Sequence, residues 1–95
     1  MVEELGRYTI LEEIGQGGFA VVYRAHDRQL DRLVALKELR PMLLADPASV
    51  NNFRQEARNI ARLGHPHVVT IHDVYEAEQR QFIVMQLWMV QAWQN

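Results

Sequence analysis

Three glycines between two apolar segments are the first residues whose type and spacing could do chemistry. Gly15, Gly17 and Gly18 fall inside residues 14–22, which read Ile-Gly-Gln-Gly-Gly-Phe-Ala-Val-Val. Because glycine has no side chain, the backbone N–H groups of such a run can closely approach the oxygens of a phosphate group. The run alone is a weak indication, since two unrelated designs of phosphate site use it.

The residues after the glycines decide between those designs. A dinucleotide-binding fold requires a helix at this point, with its N-terminus directed at the pyrophosphate. Residues 20–23 read Ala-Val-Val-Tyr, which favours a β-strand. A Walker-type loop is excluded because no Gly-Lys-Ser or Gly-Lys-Thr is present. The glycines are therefore predicted to form the tip of a β-hairpin whose backbone covers phosphate oxygens.

Lys37 and Glu56 are the charged residues that could act beside this hairpin. Lys37 lies in Val-Ala-Leu-Lys, within a segment predicted to be the next strand, and would bring its positive charge to the same phosphates. Glu56 lies on a predicted helix. Either residue alone is more simply explained as a solvated charge. Their occurrence with the glycine hairpin, in this order, favours a common site.

The elements that must position these residues follow the order β-β-β-α-β-β. Strands are predicted at residues 8–14, 19–26, 33–39, 68–75 and 81–87 from their β-branched and aromatic content. Asp46 and Pro47 resemble an N-cap followed by proline at the first helical position. Gly64 is the predicted stop of that helix. Its apolar residues recur at helical spacing and form one stripe: Val50, Phe53, Ala57, Ile60 and Ala61.

The composition is typical of one small globular domain. The 95 residues are 48% hydrophobic and 23% charged, with a net charge of −2. This balance gives no reason to expect nucleic acid or an anionic membrane surface as a partner. The absence of cysteine excludes disulfides and thiolate metal sites. No signal peptide or membrane segment is recognisable, so a cytoplasmic location is expected.

Taken together, these motifs resemble the N-terminal lobe of a eukaryotic-type (Hanks-type) serine/threonine protein kinase, bacterial in character. The likeness runs from about Tyr8 to Leu87 and includes residues 65–69, His-Pro-His-Val-Val. It implies an α+β fold, in which a five-stranded antiparallel sheet packs against one helix. It also implies ATP as the ligand, with protein serine or threonine as the substrate of a full-length parent.

The resemblance assigns roles to individual residues. Lys37 would bind the α- and β-phosphates and form a supporting ion pair with Glu56. Ala20 replaces the third glycine of the motif, and Gln86 stands where a glutamate is usual. The change at Ala20 is mild because that position is away from the closest approach of the phosphates, and the change at Gln86 matters little because the hinge works through backbone groups. The residues that would contact the nucleotide are Ile14, Gly15, Gln16, Gly17, Gly18, Phe19, Ala20, Val22, Ala35, Lys37, the gatekeeper Met85, and the hinge residues Gln86 and Leu87.

Several kinase motifs are missing from the 95 residues. No His-Arg-Asp loop supplies a base, and no Asp-Phe-Gly holds magnesium. No residue of this chain is therefore predicted to be catalytic or a metal ligand, and Mg²⁺ would be held mainly by the second lobe. We expect the chain alone to be inactive. The alternative is a non-catalytic half-kinase module that binds a partner or associates with itself through exposed apolar surface.

The sequence predicts a division at residue 87, with a partial kinase domain before it and an aberrant tail at residues 88–95. The tail reads Trp-Met-Val-Gln-Ala-Trp-Gln-Asn. Tryptophan and methionine have single codons, and a shift of one base converts this stretch into a frame that contains a forced Asp-Gly. Such a pair follows the hinge in similar kinases. A base lost near codon 87 is expected; the alternative is a genuine short protein with an unusual tail.

Overall fold

The computed structural model describes residues 2–63 and 70–87, which form one antiparallel sheet and one long helix. The strands occur in the order β1-β2-β3-β4-β6-β5 across the sheet. A short 3-10 helix, Pro41–Leu43, precedes the α-helix. The elements are β1 Glu3–Leu5, β2 Tyr8–Gln16, β3 Ala20–Asp27, β4 Arg32–Leu39, α1 Pro47–Leu63, β5 Ile71–Ala77 and β6 Arg80–Gln86.

The described sheet has six strands rather than the five predicted, because residues 3–5 form an additional strand beside β2. Leu5 of this strand is fully buried, and Glu3 accepts a hydrogen bond from Arg80 at 2.7 Å. Gly6 makes the tight turn into β2 with a φ of 58°, a value that glycine adopts readily. The start predicted for β5 at residue 68 lies outside the described residues.

Each face of the sheet carries its own apolar cluster, because side chains alternate along a strand. One face packs against α1 and the other against the start of the chain and the end of β5. The buried members on the α1 face are Ala20, Ala35, Leu39, Phe53, Ala57, Ile83, Met85 and Leu87. Those on the opposite face are Leu5, Tyr8, Ile10, Ala25, Val34, Leu36, Phe82 and Val84.

Helix α1 begins as predicted. The Ala48 N–H donates to Asp46 Oδ1 at 3.2 Å, and the helix starts at Pro47. From the apolar stripe, Phe53 and Ala57 are buried against the sheet. The side chain of Ala61 and the predicted stop at Gly64 lie outside what the structure describes.

A buried carboxylate links β2, β3 and β4 at the end of these strands that lies far from the glycines. Asp27 is fully buried and accepts hydrogen bonds from Arg7 Nε at 3.0 Å and Arg7 Nη2 at 2.7 Å. It also accepts bonds from Arg32 Nε at 3.2 Å and from the backbone N–H groups of Gln29 and Leu30. The carboxylate therefore closes the turn between β3 and β4 and fixes the register of these two strands.

Candidate functional site

The pairing of three strands places the first site residues in one row. Gly15 of β2 lies opposite Val22 of β3, Val22 lies opposite Lys37 of β4, and Lys37 lies opposite Ile83 of β6. Directly opposed residues of an antiparallel pair point to the same face. Because Ile83 belongs to the cluster on the α1 face, Val22 and Lys37 also face α1. Glu56 projects from that helix, so the sheet register brings the lysine to the glutamate.

Lys37 and Glu56 form the ion pair that the resemblance implies. The Lys37 Nζ atom lies 3.8 Å from Glu56 Oε1, and their side chains are 32% and 59% exposed. This distance exceeds that of a direct charge-assisted hydrogen bond, about 2.7–2.9 Å. A water-exposed pair of this kind contributes roughly 0–1 kcal/mol to stability. The pair therefore orients the ammonium group while leaving its donors available to an additional anion.

A cleft of about 390 Å³ opens beside this pair, between the end of the glycine hairpin and α1. This volume is within the range of small-molecule sites, roughly 300–1,000 Å³. The cleft contains both apolar walls and hydrogen-bonding side chains. It is lined by Phe19, Ala20, Lys37, Leu39, Ser49, Asn52, Phe53 and Glu56.

The glycine tip, residues 15–20, is a narrow turn with an open outer surface. The Gly17 N–H donates to the Ala20 carbonyl at 2.9 Å and closes the turn. A Cβ atom placed on Gly17 or Gly18 would meet no protein atom within 4 Å. Neither residue has a positive φ. Internal packing and backbone strain therefore do not explain why glycine occupies these two positions.

Arg40 also holds the glycine tip, and the sequence reasoning did not identify it. Its Nε donates to the Gly17 carbonyl at 2.9 Å, and its Nη2 donates to Gln16 Oε1 at 3.2 Å. Its backbone N–H donates to the Phe19 carbonyl at 2.8 Å. The side-chain partners of Arg40 lie more than twenty positions away, so the sequence shows only an arginine just beyond β4 and no local pattern that predicts these contacts.

The apolar slot, defined by Ile14, Val22, Ala35 and Met85, lies on the same face as Lys37. Ala35 is opposite Met85 in the pairing of β4 with β6. Ala35 is fully buried and Met85 is 5% exposed, whereas Ile14 and Val22 are half-buried beside them. The structure thus brings together four of the side chains that the resemblance assigned to contact with the nucleotide.

The predicted hinge begins at the end of β6. The Gln86 N–H donates to the Thr70 carbonyl at 3.0 Å, so this donor is already used within the sheet. The Leu87 side chain is 7% exposed and belongs to the cluster on the α1 face. Residues 88–95 lie outside the described residues, and with them the predicted tail. A ligand at this edge would meet backbone groups rather than the Leu87 side chain.

Within residues 2–63 and 70–87, no three His, Cys, Asp or Glu side chains come together as a potential metal site. Within the same residues, no helix has the length and apolar character needed to cross a membrane.

Comparison with known proteins identifies the family. The protein kinase domain family matches residues 8–94. The probable serine/threonine-protein kinase PknB of Lactococcus lactis is 48% identical over 81 residues, covering 84% of this chain and 13% of that protein. Serine/threonine-protein kinase PrkC of Bacillus subtilis is 46% identical over 81 residues, covering 85% of this chain and 12% of that protein. The chain thus spans about an eighth of the length of these relatives.

Solved structures agree with this assignment. The chain named PpkA-294, in its apo form, aligns with a TM-score of 0.75 and 32% identity, covering 88% of this chain and 36% of that one. The PknI kinase domain of Mycobacterium tuberculosis aligns with a TM-score of 0.70 and 30% identity, covering 88% of this chain and 34% of that one. The predicted kinase N-lobe fold is confirmed. The chain belongs to the protein kinase family and resembles its bacterial Hanks-type serine/threonine members.

Proposed function

We propose that this chain is the nucleotide-binding lobe of a serine/threonine protein kinase and that ATP is its ligand. The observation that carries this proposal is the convergence of Lys37, Glu56 and the glycine tip on one cleft. Kinases as a family use ATP with a divalent metal ion and depend mainly on positioning and electrostatic stabilisation of the transferred phosphoryl group. The residues present fit the phosphate part of such a ligand, because they combine backbone N–H groups with one oriented ammonium.

The phosphate end of the nucleotide would lie between the glycine tip and Lys37. Beyond its chain neighbours, Gly18 has no protein atom within 4 Å of where a Cβ would project, so a phosphate oxygen can approach its backbone, whereas the Gly17 N–H is already bonded to the Ala20 carbonyl. Lys37 would bind the α- and β-phosphates, and Glu56 would keep its side chain directed at them. Because the lysine–glutamate contact is long and solvated, an arriving phosphate can share the ammonium without first breaking a tight pair.

The adenine end would lie in the apolar slot. Ala35 and Met85 are almost completely buried, so they would form the floor of the slot rather than large contact surfaces. The half-exposed side chains of Ile14 and Val22 would provide most of the contact with the ring. At the hinge, the Gln86 N–H is already bonded to Thr70, so adenine would have to use other backbone groups near Gln86 and Leu87.

Phosphate transfer would require groups that these 95 residues do not supply. A kinase needs an aspartate that accepts the substrate hydroxyl proton and acidic or amide side chains that hold the metal ions. Neither motif occurs in the sequence. We propose that the chain on its own binds ATP weakly and transfers no phosphate, and that phosphorylation of protein serine or threonine belongs to the full-length parent.

A direct test uses the fact that Lys37 is the only lysine among the ten Lys and Arg residues. An amine-acylating reagent can modify only Lys37 and the N-terminal amine, and mass spectrometry separates the two products. We expect millimolar ATP to slow acylation of Lys37 several-fold and to leave the N-terminal amine unaffected. Adenosine, which lacks phosphates, should protect Lys37 much less.

Two variants complete this test. Lys37→Met keeps most of the aliphatic side chain but removes the charge, and should abolish ATP-dependent shifts in the NMR spectrum of the glycine tip. Arg24→Gln changes an exposed arginine that pairs with Glu12 and should leave those shifts unchanged. Equal protection of Lys37 by ATP and adenosine, or full ATP binding by Lys37→Met, would contradict the proposed site.

The division of the chain at residue 87 and a cytoplasmic location also remain proposals. If a base was lost near codon 87, the DNA that follows should encode Val-Asp-Gly in the shifted frame, then a His-Arg-Asp-type loop and Asp-Phe-Gly. Sequencing of the downstream DNA tests this directly. A downstream region without a kinase-like frame would refute the lost base and leave the tail as a genuine part of the protein.

A further inference from the structure

We propose that Arg40 is a positioning residue that holds the glycine tip in the conformation competent to bind phosphate. This inference rests on the proposed nucleotide site and adds a residue to it that is not itself among those lining the cleft or the apolar slot. Three parts of Arg40 contact three residues of the tip: Nη2 contacts the Gln16 side chain, Nε the Gly17 carbonyl, and the backbone N–H the Phe19 carbonyl.

Arg40 acts on the glycine tip from the side of the sheet opposite Lys37. Lys37 and Leu39 line the cleft. Glu38 points to the opposite face, where it is buried in a bidentate pair with Arg80. The Arg40 side chain donates to the side chain of Gln16, which lies in one row of directly opposed residues with Val21 and Glu38. Arg40 therefore acts from the face of Glu38, opposite Lys37.

The peptide unit between Gly17 and Gly18 is the part of the tip that Arg40 orients. A trans peptide is planar, and its C=O and N–H groups point in opposite directions. Arg40 fixes the Gly17 carbonyl toward its own side of the sheet. The Gly18 N–H must then point toward the other side, where Lys37 lies. A glycine pair without this contact could rotate the peptide freely and direct the carbonyl oxygen, which repels phosphate, at the same place.

No other contact among the described residues orients this peptide unit. Gly17 and Gly18 have no side chains, and no protein atom lies within 4 Å of where their Cβ atoms would be. The tip has one internal backbone bond, from the Gly17 N–H to the Ala20 carbonyl. This bond closes the turn but does not determine the orientation of the next peptide unit. Arg40 provides the additional constraint from outside the hairpin.

The experiment measures order at the tip without ligand and affinity with ligand. Amide hydrogen exchange of Gly17, followed by NMR in the 95-residue chain, reports how often the turn opens. Arg40→Gln removes the two side-chain bonds to the tip and should accelerate this exchange about five- to thirtyfold. Arg40→Lys keeps the charge but not the forked geometry, and should give a smaller increase. Arg24→Gln, an arginine of similar exposure whose partner is Glu12, should change it less than twofold.

The second measurement uses ATP and adenosine as probes in an NMR titration. Arg40→Gln should weaken ATP binding by a factor similar to the change in exchange and should leave the adenosine affinity within twofold. A Gly17 exchange rate that does not change in Arg40→Gln overturns the proposal. If Gly17 exchanges faster in Arg40→Gln but ATP affinity is unchanged, the link between Arg40 and phosphate binding is overturned. The same holds if adenosine affinity falls as much as ATP affinity.

These outcomes are separate from failure of the proposed function. If the unmodified chain binds no ATP, the proposed nucleotide site is refuted together with the phosphate role of Arg40. The exchange measurement still decides whether Arg40 orders the glycine tip. Gln16→Ala, combined with Arg40→Gln, should add little to the effect of Arg40→Gln alone, because both changes remove the same contact.

Discussion

Replacing Asp27 with asparagine is expected to destabilise the fold by about 2 kcal/mol at neutral pH. The pKa of the Asp27 carboxyl is lowered from an ordinary value of 3.8 to about 2, mainly by hydrogen bonds from Arg7. Burial raises this pKa, whereas the Leu30 and Gln29 N–H groups and Arg32 lower it further. At about 1.4 kcal/mol per pKa unit, this shift corresponds to a little over 2 kcal/mol.

Two effects adjust that figure. The Arg7 and Arg32 side chains are 28% and 38% exposed, so solvent screens part of the attraction, and about 1–2 kcal/mol is the more realistic electrostatic contribution. Asparagine adds a steric and polar penalty, because its NH2 group cannot accept the bonds that Oδ2 of Asp27 now accepts. The sum remains about 2 kcal/mol, equivalent to a fall of about 10 °C in Tm for a domain of this size.

The pH dependence has a definite sign. Because the pKa of Asp27 is lower in the folded state than in the unfolded state, its contribution is complete above pH 3.8 and is lost as the pH falls toward about 2. The difference in unfolding free energy between the wild-type chain and Asp27→Asn should therefore be constant from pH 7 to about pH 5. It should fall by roughly half near pH 3.

Urea unfolding followed by far-UV circular dichroism at several pH values measures both effects. Glu12→Gln makes the same chemical change in a carboxylate that is 55% exposed and pairs with Arg24. It should cost less than about 0.5 kcal/mol. A loss below about 0.5 kcal/mol for Asp27→Asn, or a difference that does not narrow between pH 5 and pH 2, would refute this reasoning.

Three other predictions follow from packing. Gly6→Ala should lower the free energy of unfolding in urea by about 1–3 kcal/mol, because the φ of 58° is strained for alanine and the new methyl group would clash with Tyr75 Oη. The control Gly17→Ala meets no such atom and should leave the stability nearly unchanged. Phe53→Ala should lower the free energy of unfolding by about 3–4 kcal/mol, since the Phe53 ring is only 6% exposed between α1 and the sheet. Met42 is 79% exposed, so the control Met42→Ala should change the stability by less than about 0.5 kcal/mol. At high protein concentration, analytical sedimentation should detect self-association of the chain through the apolar slot. A chain that stays strictly monomeric would count against self-association.

The sequence predicted the central site because local patterns determine it. The glycines, the β-branched residues after them and the strand that carries Lys37 each have a short-range signature, and α1 was predicted from Asp46 and the apolar stripe. Once these elements were recognised, the approach of Lys37 to Glu56 followed from the resemblance. In the structure Lys37 Nζ lies 3.8 Å from Glu56 Oε1, and the roles of the two residues remain predictions.

Features that depend on distant partners were missed. Strand β1 has three residues and two adjacent glutamates, which give no strand signal; it is held by Leu5 in the core and by a bond from Arg80, 77 positions away. The contacts of Arg40 with the glycine tip also join separate elements. An arginine after a strand has no local pattern that distinguishes such a contact from a solvated side chain, so only the folded structure identifies it.

The hairpin between β3 and β4 determines which side chain of β4 reaches the cleft, because Lys37 lies in one row with Gly15 and Val22. The neighbours of Lys37 are Leu36 and Glu38, both on the other face of the sheet. A one-residue slip of β4 against β3 would therefore replace the ammonium by the Glu38 carboxylate or by the apolar side chain of Leu36, depending on its direction, and either would remove the positive charge from the cleft. A two-residue slip would keep the face but move the lysine by about 7 Å. The turn that Asp27 closes therefore determines the sign and the position of the charge at the opposite end of the same strands.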